Sequence, residues 1–160
     1  MTVDEVAVRA RVGKATVYRR WSHKIDLAGN ALDRLYASIA PMSDTGDLVE
    51  DVTRLHTSLL EFANTPEGRL FLRTSAAESV RDPRIARVHR EARGRFETSM
   101  AVIFERARTR GEIPASAPIA WACQYIGSFL VSPVVSGRPT PAVAKAAELT
   151  GLLLHGLNGP

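Results

Sequence analysis

The sequence predicts an all-α chain: two short helices joined by a tight turn, then a bundle of longer helices. Three observations carry this. Apolar residues recur at helical spacing (i, i+3, i+4, i+7) along most of the 160 residues. Helix start and stop signals punctuate that spacing. Alternating apolar and polar runs of the kind a half-buried strand needs are rare, and the β-branched residues sit inside the helical spacing.

The elements follow in order. Thr2, with Glu5 three residues later, makes a capping box and opens a short helix to about residue 10, whose apolar side is Val3, Val6, Ala7 and Ala10. Arg11-Val12-Gly13 breaks it, and a second short helix over about 14–20 turns Val17 and Trp21 inward. Ser22 is placed to cap a third helix over about 23–40, with Ile25, Leu27, Ala28, Ala31, Leu32, Leu35 and Ile39 apolar and Pro41 as its stop. Ser43 or Asp44 opens a fourth, on which Leu48, Val52, Leu55, Leu59 and Phe62 form one stripe. Thr65-Pro66 is a cap followed by proline at the first helical position, opening a fifth helix that carries Leu70, Phe71, Ala77 and Val80. Asp82-Pro83 repeats that signal for a long sixth helix, ended near residue 110 by Gly111 and Pro114. A seventh covers about 118–131, and Thr140-Pro141 opens the last, which ends near 157. The division is a small module over 1–40 and a second bundle over 41–160, joined without a flexible linker by the helix over 23–40.

Hydrophobic residues make up 45% and charged residues 24%, a globular composition rather than a disordered one. The single cysteine, Cys123, builds neither a disulfide framework nor a thiolate metal site, which fits a reducing, cytoplasmic setting. No signal peptide is read at the start. His23, His56, His89 and His155 lack metal-ligand spacing and read as satisfied or solvated, so no metal and no cofactor are expected. There is no glycine-rich phosphate loop, nucleophile elbow or HExxH, so no catalytic residues are assigned and an enzyme is not expected. Glu50, Asp51 and Glu61 sit on predicted polar faces. The 24 residues over 113–136 carry no charge, long enough for a membrane span, but Pro114, Pro118, Pro133, Gln124, Gly127 and several serines favour a buried or inter-subunit helix instead.

The net charge of +4 is a weak pointer to nucleic acid, but its distribution is sharper. Between positions 9 and 24 stand six basic residues (Arg9, Arg11, Lys14, Arg19, Arg20, Lys24) and no acidic one. A second basic cluster over 81–95 is interleaved with Asp82 and Glu91 and reads as a solvated helix face. Two short helices on a tight turn are the minimum device for placing a helix end in a major groove. Lys14, Ala15 and Thr16 occupy the first turn of the second helix, and small residues at Gly13 and Ala15 let backbone approach closely. Thr16, Tyr18 and Lys24 supply two hydroxyls and an ammonium able to donate to phosphate, with Arg19 on the same helix as Tyr18. Taken singly, Tyr18 reads also as a partly buried aromatic and Lys24 as an ordinary solvated lysine.

Thr2 to Ala10, then Val12-Gly-Lys-Ala-Thr-Val-Tyr-Arg-Arg-Trp21, then Lys24 and Leu27, resemble the DNA-binding signature of the TetR/AcrR family. The resemblance implies that Thr16, Tyr18 and Lys24 hold backbone phosphates, that Lys14 and Ala15 sit at the groove, and that Trp21 packs in the module's core. It implies a homodimeric transcription regulator, a repressor, that binds a palindromic double-stranded DNA operator and is released by a small apolar or amphiphilic effector, with no membrane involved. Two departures stand out. Arg11 occupies a turn position where the family often has glycine, so the turn is strained or gains a phosphate contact. Family members also carry a further helix ahead of the position of Thr2, so either the start is mis-assigned or trimmed, or the chain is a truncated variant; without that helix Val6, Val17, Trp21 and Leu27 would lose cover worth roughly 1.5–3 kcal/mol each. The alternative is a truncated helical protein that binds ligand and dimerises with impaired DNA binding.

For the second bundle, the resemblance implies a pocket enclosed by the helices over 44–110. Phe62, Phe71, Phe96, Met100, Phe104, Trp121 and Tyr125 are its candidate lining, each equally readable as plain core. After Ile113 the only charged residues are Arg138, Lys145 and Glu148, and the last two helices are apolar on more than one face. One core cannot use all of that surface, so the two helices are expected to pair with their copies in a second chain through Ile126, Phe129, Leu130, Leu149, Leu153 and Leu157.

Overall fold

A computed structural model describes residues 2–40 and 42–158, with the side chains of 157 and 158 excepted. Among the described residues every regular element is helical. Helix α1, Val3–Arg9, opens with the expected capping box: the Glu5 amide donates to Thr2 Oγ1 at 3.2 Å and the Thr2 amide to Glu5 Oε2 at 2.6 Å. The turn then passes through Arg11 at φ 54°, the only non-glycine residue with positive φ among the described residues. Such a conformation costs on the order of 1–2 kcal/mol. Helix α2 spans Lys14–Arg20 and α3 spans Lys24–Ile39. Pro41, the expected stop of α3, lies outside the described residues. The cap of α3 is His23 rather than Ser22, because Asp26 stands three residues beyond His23 and accepts from its amide at 3.3 Å.

Helix α4, Leu48–Asn64, is capped by Asp47, three or four residues later than expected. The cause is Asp51. Its carboxylate is buried, not solvated, and accepts from the Thr45 amide at 3.0 Å and from Thr45 Oγ1 at 2.9 Å, folding the preceding loop onto the helix. Helices α5, Pro66–Arg81, and α6, Pro83–Arg110, start at the two Thr/Asp-Pro signals, and α6 closes on Gly111 at φ 79°. Gly68 lets α5 abut α4: a Cβ there would lie 1.9 Å from the Phe62 carbonyl oxygen. On α5 the expected apolar side is largely the outer one. Leu70 and Val80 are 68% and 89% exposed and Ala77 is exposed; only Phe71 turns inward, beside Leu72, Ser75, Ala76 and Ser79. The expected seventh helix is α7, Ile119–Ser128, and beyond it stands a short helix that was not expected, α8, Val131–Ser136. Ile119–Ser136 is the one helical run among the described residues long and apolar enough to cross a membrane. Here its Ile119, Ala122, Cys123, Ile126 and Leu130 are buried in the core. Helix α9, Ala146–Asn158, is entered from a single 3-10 turn at Val143–Lys145, not from Thr140-Pro141. The Pro141 carbonyl instead accepts from Asn64 Nδ2 at 3.0 Å.

Helix α6 runs through the middle, with α3, α5 and α7 against it, and α4 lies among α5, α6 and α9. The main core centres on Leu55, Leu60, Met100, Ile103, Phe104 and Ile126. A separate small core holds Val3, Ala7 and Val17 under Trp21 and Leu27. A third cluster, Leu32, Val88 and Ala92, is the seam between α3 and α6. Helix α3 therefore touches the small core at one end and the bundle along the rest.

Candidate nucleic-acid interface and internal cavity

Val17, 4% exposed, pins α2 by its inner side. Lys14, Ala15, Thr16, Tyr18 and Arg19 all lie on exposed positions of the same helix, and Lys24 is exposed at the start of α3. Gly13 caps α2, and a Cβ there would meet only Thr16 Oγ1, at 3.8 Å, so nothing inside the chain demands glycine. Arg20 stacks over the Trp21 ring at 5.2 Å, while Arg19 and Lys24 have no ion pair among the described residues. One participant escaped sequence reasoning. Asp4 on α1 pairs with Lys14 Nζ at 2.5 Å and accepts from the Tyr18 hydroxyl at 3.4 Å. Its hydrogen bond, and then its charge, raise the Lys14 ammonium above its ordinary pKa. The only advance sign was its place in the first turn of α1, next to the cluster's edge.

The bundle encloses a cavity of about 390 Å³ walled by α3 through α8. Phe62, Phe71 and Phe96 line it, together with Leu59 and Ile126. Of the other candidates, Met100 and Phe104 are fully buried in the main core, and Trp121 and Tyr125 are 71% and 44% exposed on the outside. Tyr36 and Ile39, the last turns of α3, form part of the same wall. The Tyr36 ring stacks on Phe96 at 4.8 Å, and burial raises its phenol above the ordinary value. One turn earlier on α3, Asp33 accepts a two-pronged contact from Arg95 of α6, at 2.8 and 3.0 Å. His89 on the cavity wall lies 6.3 Å from Phe71, and burial lowers its pKa.

The residues assigned to a subunit interface do not share one face. Ile126 and Leu130 are 1% and 6% exposed in the chain's own core, and Phe129, Leu149 and Leu153 pack half-buried against it. The side chain of Leu157 lies outside the described residues. The outward apolar surface is instead Trp121 and Tyr125 of α7, one turn apart, with Leu152 of α9 at 64% exposure. With apolar residues on both sides of a helix, periodicity cannot tell core side from outer side. Between α4 and α9, His56 is fully buried: Nδ1 meets Thr150 Oγ1 at 2.9 Å, and Nε2 has no partner among the described residues. Burial pushes its pKa down to about 4.

Comparison with known proteins places this architecture. Residues 42–153 match the family described as Tetracyclin repressor-like, C-terminal domain. The HTH-type transcriptional regulator Rv1556 of Mycobacterium tuberculosis is 32% identical over 165 residues, covering 98% of this chain and 78% of the relative. AqdR, an HTH-type transcriptional regulator of Rhodococcus erythropolis, is 32% identical over 70% of this chain and 54% of its own length. YdeS, an HTH-type transcriptional regulator of Bacillus subtilis, is 35% identical over 56% of this chain and 45% of its own. The chain thus spans about half the length of the last two relatives. With a family match across the bundle and a relative aligned along nearly the whole chain, this protein belongs to the TetR family.

Proposed function

We propose that the chain is a cytoplasmic transcription regulator that binds duplex DNA as a homodimer and represses until a small amphiphilic effector occupies the bundle cavity. The observation that carries this reading is the course of α3. Lys24 stands exposed at its start beside the α2 surface, and Tyr36 and Ile39 near its end form cavity wall. A ligand that displaces Tyr36 re-aims the helix that bears Lys24. It acts only through the difference in its affinity for the two arrangements. Thr16, Tyr18, Arg19 and Lys24 would hold phosphates, and Lys14 and Ala15 would meet base edges. The two copies would join through the uncharged outer surface of Trp121, Tyr125 and Leu152, placing two modules on a pseudo-palindromic site.

The test is a titration of the chain against a labelled duplex from its own promoter region at several salt concentrations. Lys24→Ala should weaken binding on every sequence and reduce the salt slope by about one. Tyr18→Phe should weaken it with the slope unchanged, since no charge is lost. A chain that sediments as a dimer yet ignores the duplex supports the ligand-binding, non-reading alternative and refutes the proposal.

A further inference from the structure

Six arginines stand between positions 81 and 95. Five of them have carboxylate partners: Arg81 with Glu78 at 4.0 Å, Arg84 with Asp82 at 3.0 Å, Arg87 with Glu91 at 3.8 Å, Arg93 with Glu97 at 2.8 Å and Arg95 with Asp33 at 2.8 Å. Arg90 has none among the described residues; it is exposed, and unlike Arg87 it also borders the cavity. Arg93 also borders the cavity, but its guanidinium is a strut. Nη2 donates to Ser128 Oγ at 2.5 Å and to the Gln124 carbonyl at 3.2 Å, tying α6 to α7. Gly127 makes room for it, since a Cβ there would lie 3.1 Å from that nitrogen.

On α5, packed against α6, Ser75 and Ser79 also line the cavity, two hydroxyl-bearing residues one turn apart. Some helix serines and threonines return their hydroxyl to the carbonyl four residues back, as Ser99 and Thr98 do, which leaves it less free for a ligand. Ser75 and Ser79 make no hydrogen bond among the described residues. The lining contains no aspartate or glutamate, and it includes the apolar side chains of Leu59, Phe62, Phe96 and Ile126.

On the reading of this cavity as the effector site, we propose that it takes an apolar carboxylate: an aromatic or aliphatic body among those four side chains, with its carboxylate on Arg90 and the Ser75 and Ser79 hydroxyls. The volume, about 390 Å³, sits near the low end of small-molecule sites and far exceeds an inorganic anion. The apolar part of the lining disfavours a small hydrated ion, and the unpaired guanidinium with no carboxylate in the lining disfavours an ammonium. A guanidinium accepts the planar carboxylate in two-pronged fashion, the strongest hydrogen-bonded pairing available to a protein.

Calorimetric titration of the full chain with 4-phenylbutyrate, 4-phenylbutanol and 4-phenylbutylamine tests this, because the three share one body and differ in the head. The acid should bind at least about tenfold more tightly than the alcohol, with the amine weakest. Arg90→Gln should bring the acid down to the affinity of the alcohol and leave the alcohol unmoved. Arg87→Gln, the same charge loss on a solvent-facing neighbour, should leave the preference intact. Equal binding of acid and alcohol, a preference that survives Arg90→Gln, or binding of none of the three overturns the proposal. If the acid binds through Arg90 but leaves duplex affinity unchanged, the anion site stands and the effector role falls.

Discussion

The α1–α2 module and the bundle are held together on different scales. The first closes over Val3, Ala7 and Val17, with Trp21 and Leu27 half-covered. The second closes over some twenty buried side chains, six of the largest with essentially no exposure. Burial of a valine contributes roughly 1.5–3 kcal/mol, while ordering each backbone residue costs about 1–2 kcal/mol. Two seven-residue helices over so small a core are marginal alone. They are steadied through Leu27 and the rest of α3, which is seated on α6 by Leu32, Val88 and Ala92. The difference teaches where regulation can act cheaply: a firm bundle can hold a ligand in a defined place, and a loosely built module responds to a small shift of the helix that supports it.

The comparison can be broken most severely from the bundle side. Phe104 is 0% exposed, and Phe104→Ala should lower global stability by about 3–5 kcal/mol, read as a shift of the urea midpoint. Val17→Ala should cost about 1–3 kcal/mol but melt only α1–α2, abolishing duplex binding while the bundle's midpoint stays put. A common loss of both regions in Val17→Ala would show one cooperative unit and dissolve the distinction.

The next effect depends on pH. His56 is neutral in the folded bundle because burial pushes its pKa to about 4, whereas an unfolded histidine titrates near 6.5. The unfolded chain therefore takes up the proton first. Stability from this site is complete above about pH 6.5 and falls as pH drops toward 4, by about 3 kcal/mol at most. Urea midpoints between pH 7 and 4 should fall less steeply in His56→Gln than in the natural chain. Parallel curves would remove His56 from the account.

The smallest effect sharpens the module side. Asp4 holds Lys14 and Tyr18, which on the proposed reading turn to DNA, Lys14 to base edges and Tyr18 to phosphate. Asp4→Asn should tighten duplex binding by up to about fivefold at low salt, with less gain at high salt. Weaker binding would mean that Asp4 positions Lys14 for DNA instead of holding it back.

Much of this is legible in the sequence alone. Local chemistry that lies wholly within a few residues came through: the Thr2–Glu5 box, the two Thr/Asp-Pro helix starts, the Gly111 stop and the constrained turn at Arg11. What failed depends on partners distant in sequence or on which of two apolar faces looks inward. Asp51 looked solvated because Thr45 reaches it only after the loop folds back. The inner face of α5 lines a cavity instead of a packed core, so its serines and alanines give no stripe, and the exposed Leu70 and Val80 imitate one. Ile126 and Trp121 exchanged places between interior and exterior for the same reason. Arg90 was lost within an arginine-rich stretch, since only its neighbours' ion pairs set it apart.

Amide hydrogen exchange, with and without the promoter duplex, tests the central claim most directly: a marginal DNA-facing module steadied on a firm bundle through α3. The account predicts fast exchange in α1 and α2 of the free chain, slow exchange in α4 and α6, and protection on adding duplex confined to α1, α2 and the first turns of α3. Uniform protection in the free chain, or protection by duplex centred on the bundle, would contradict it.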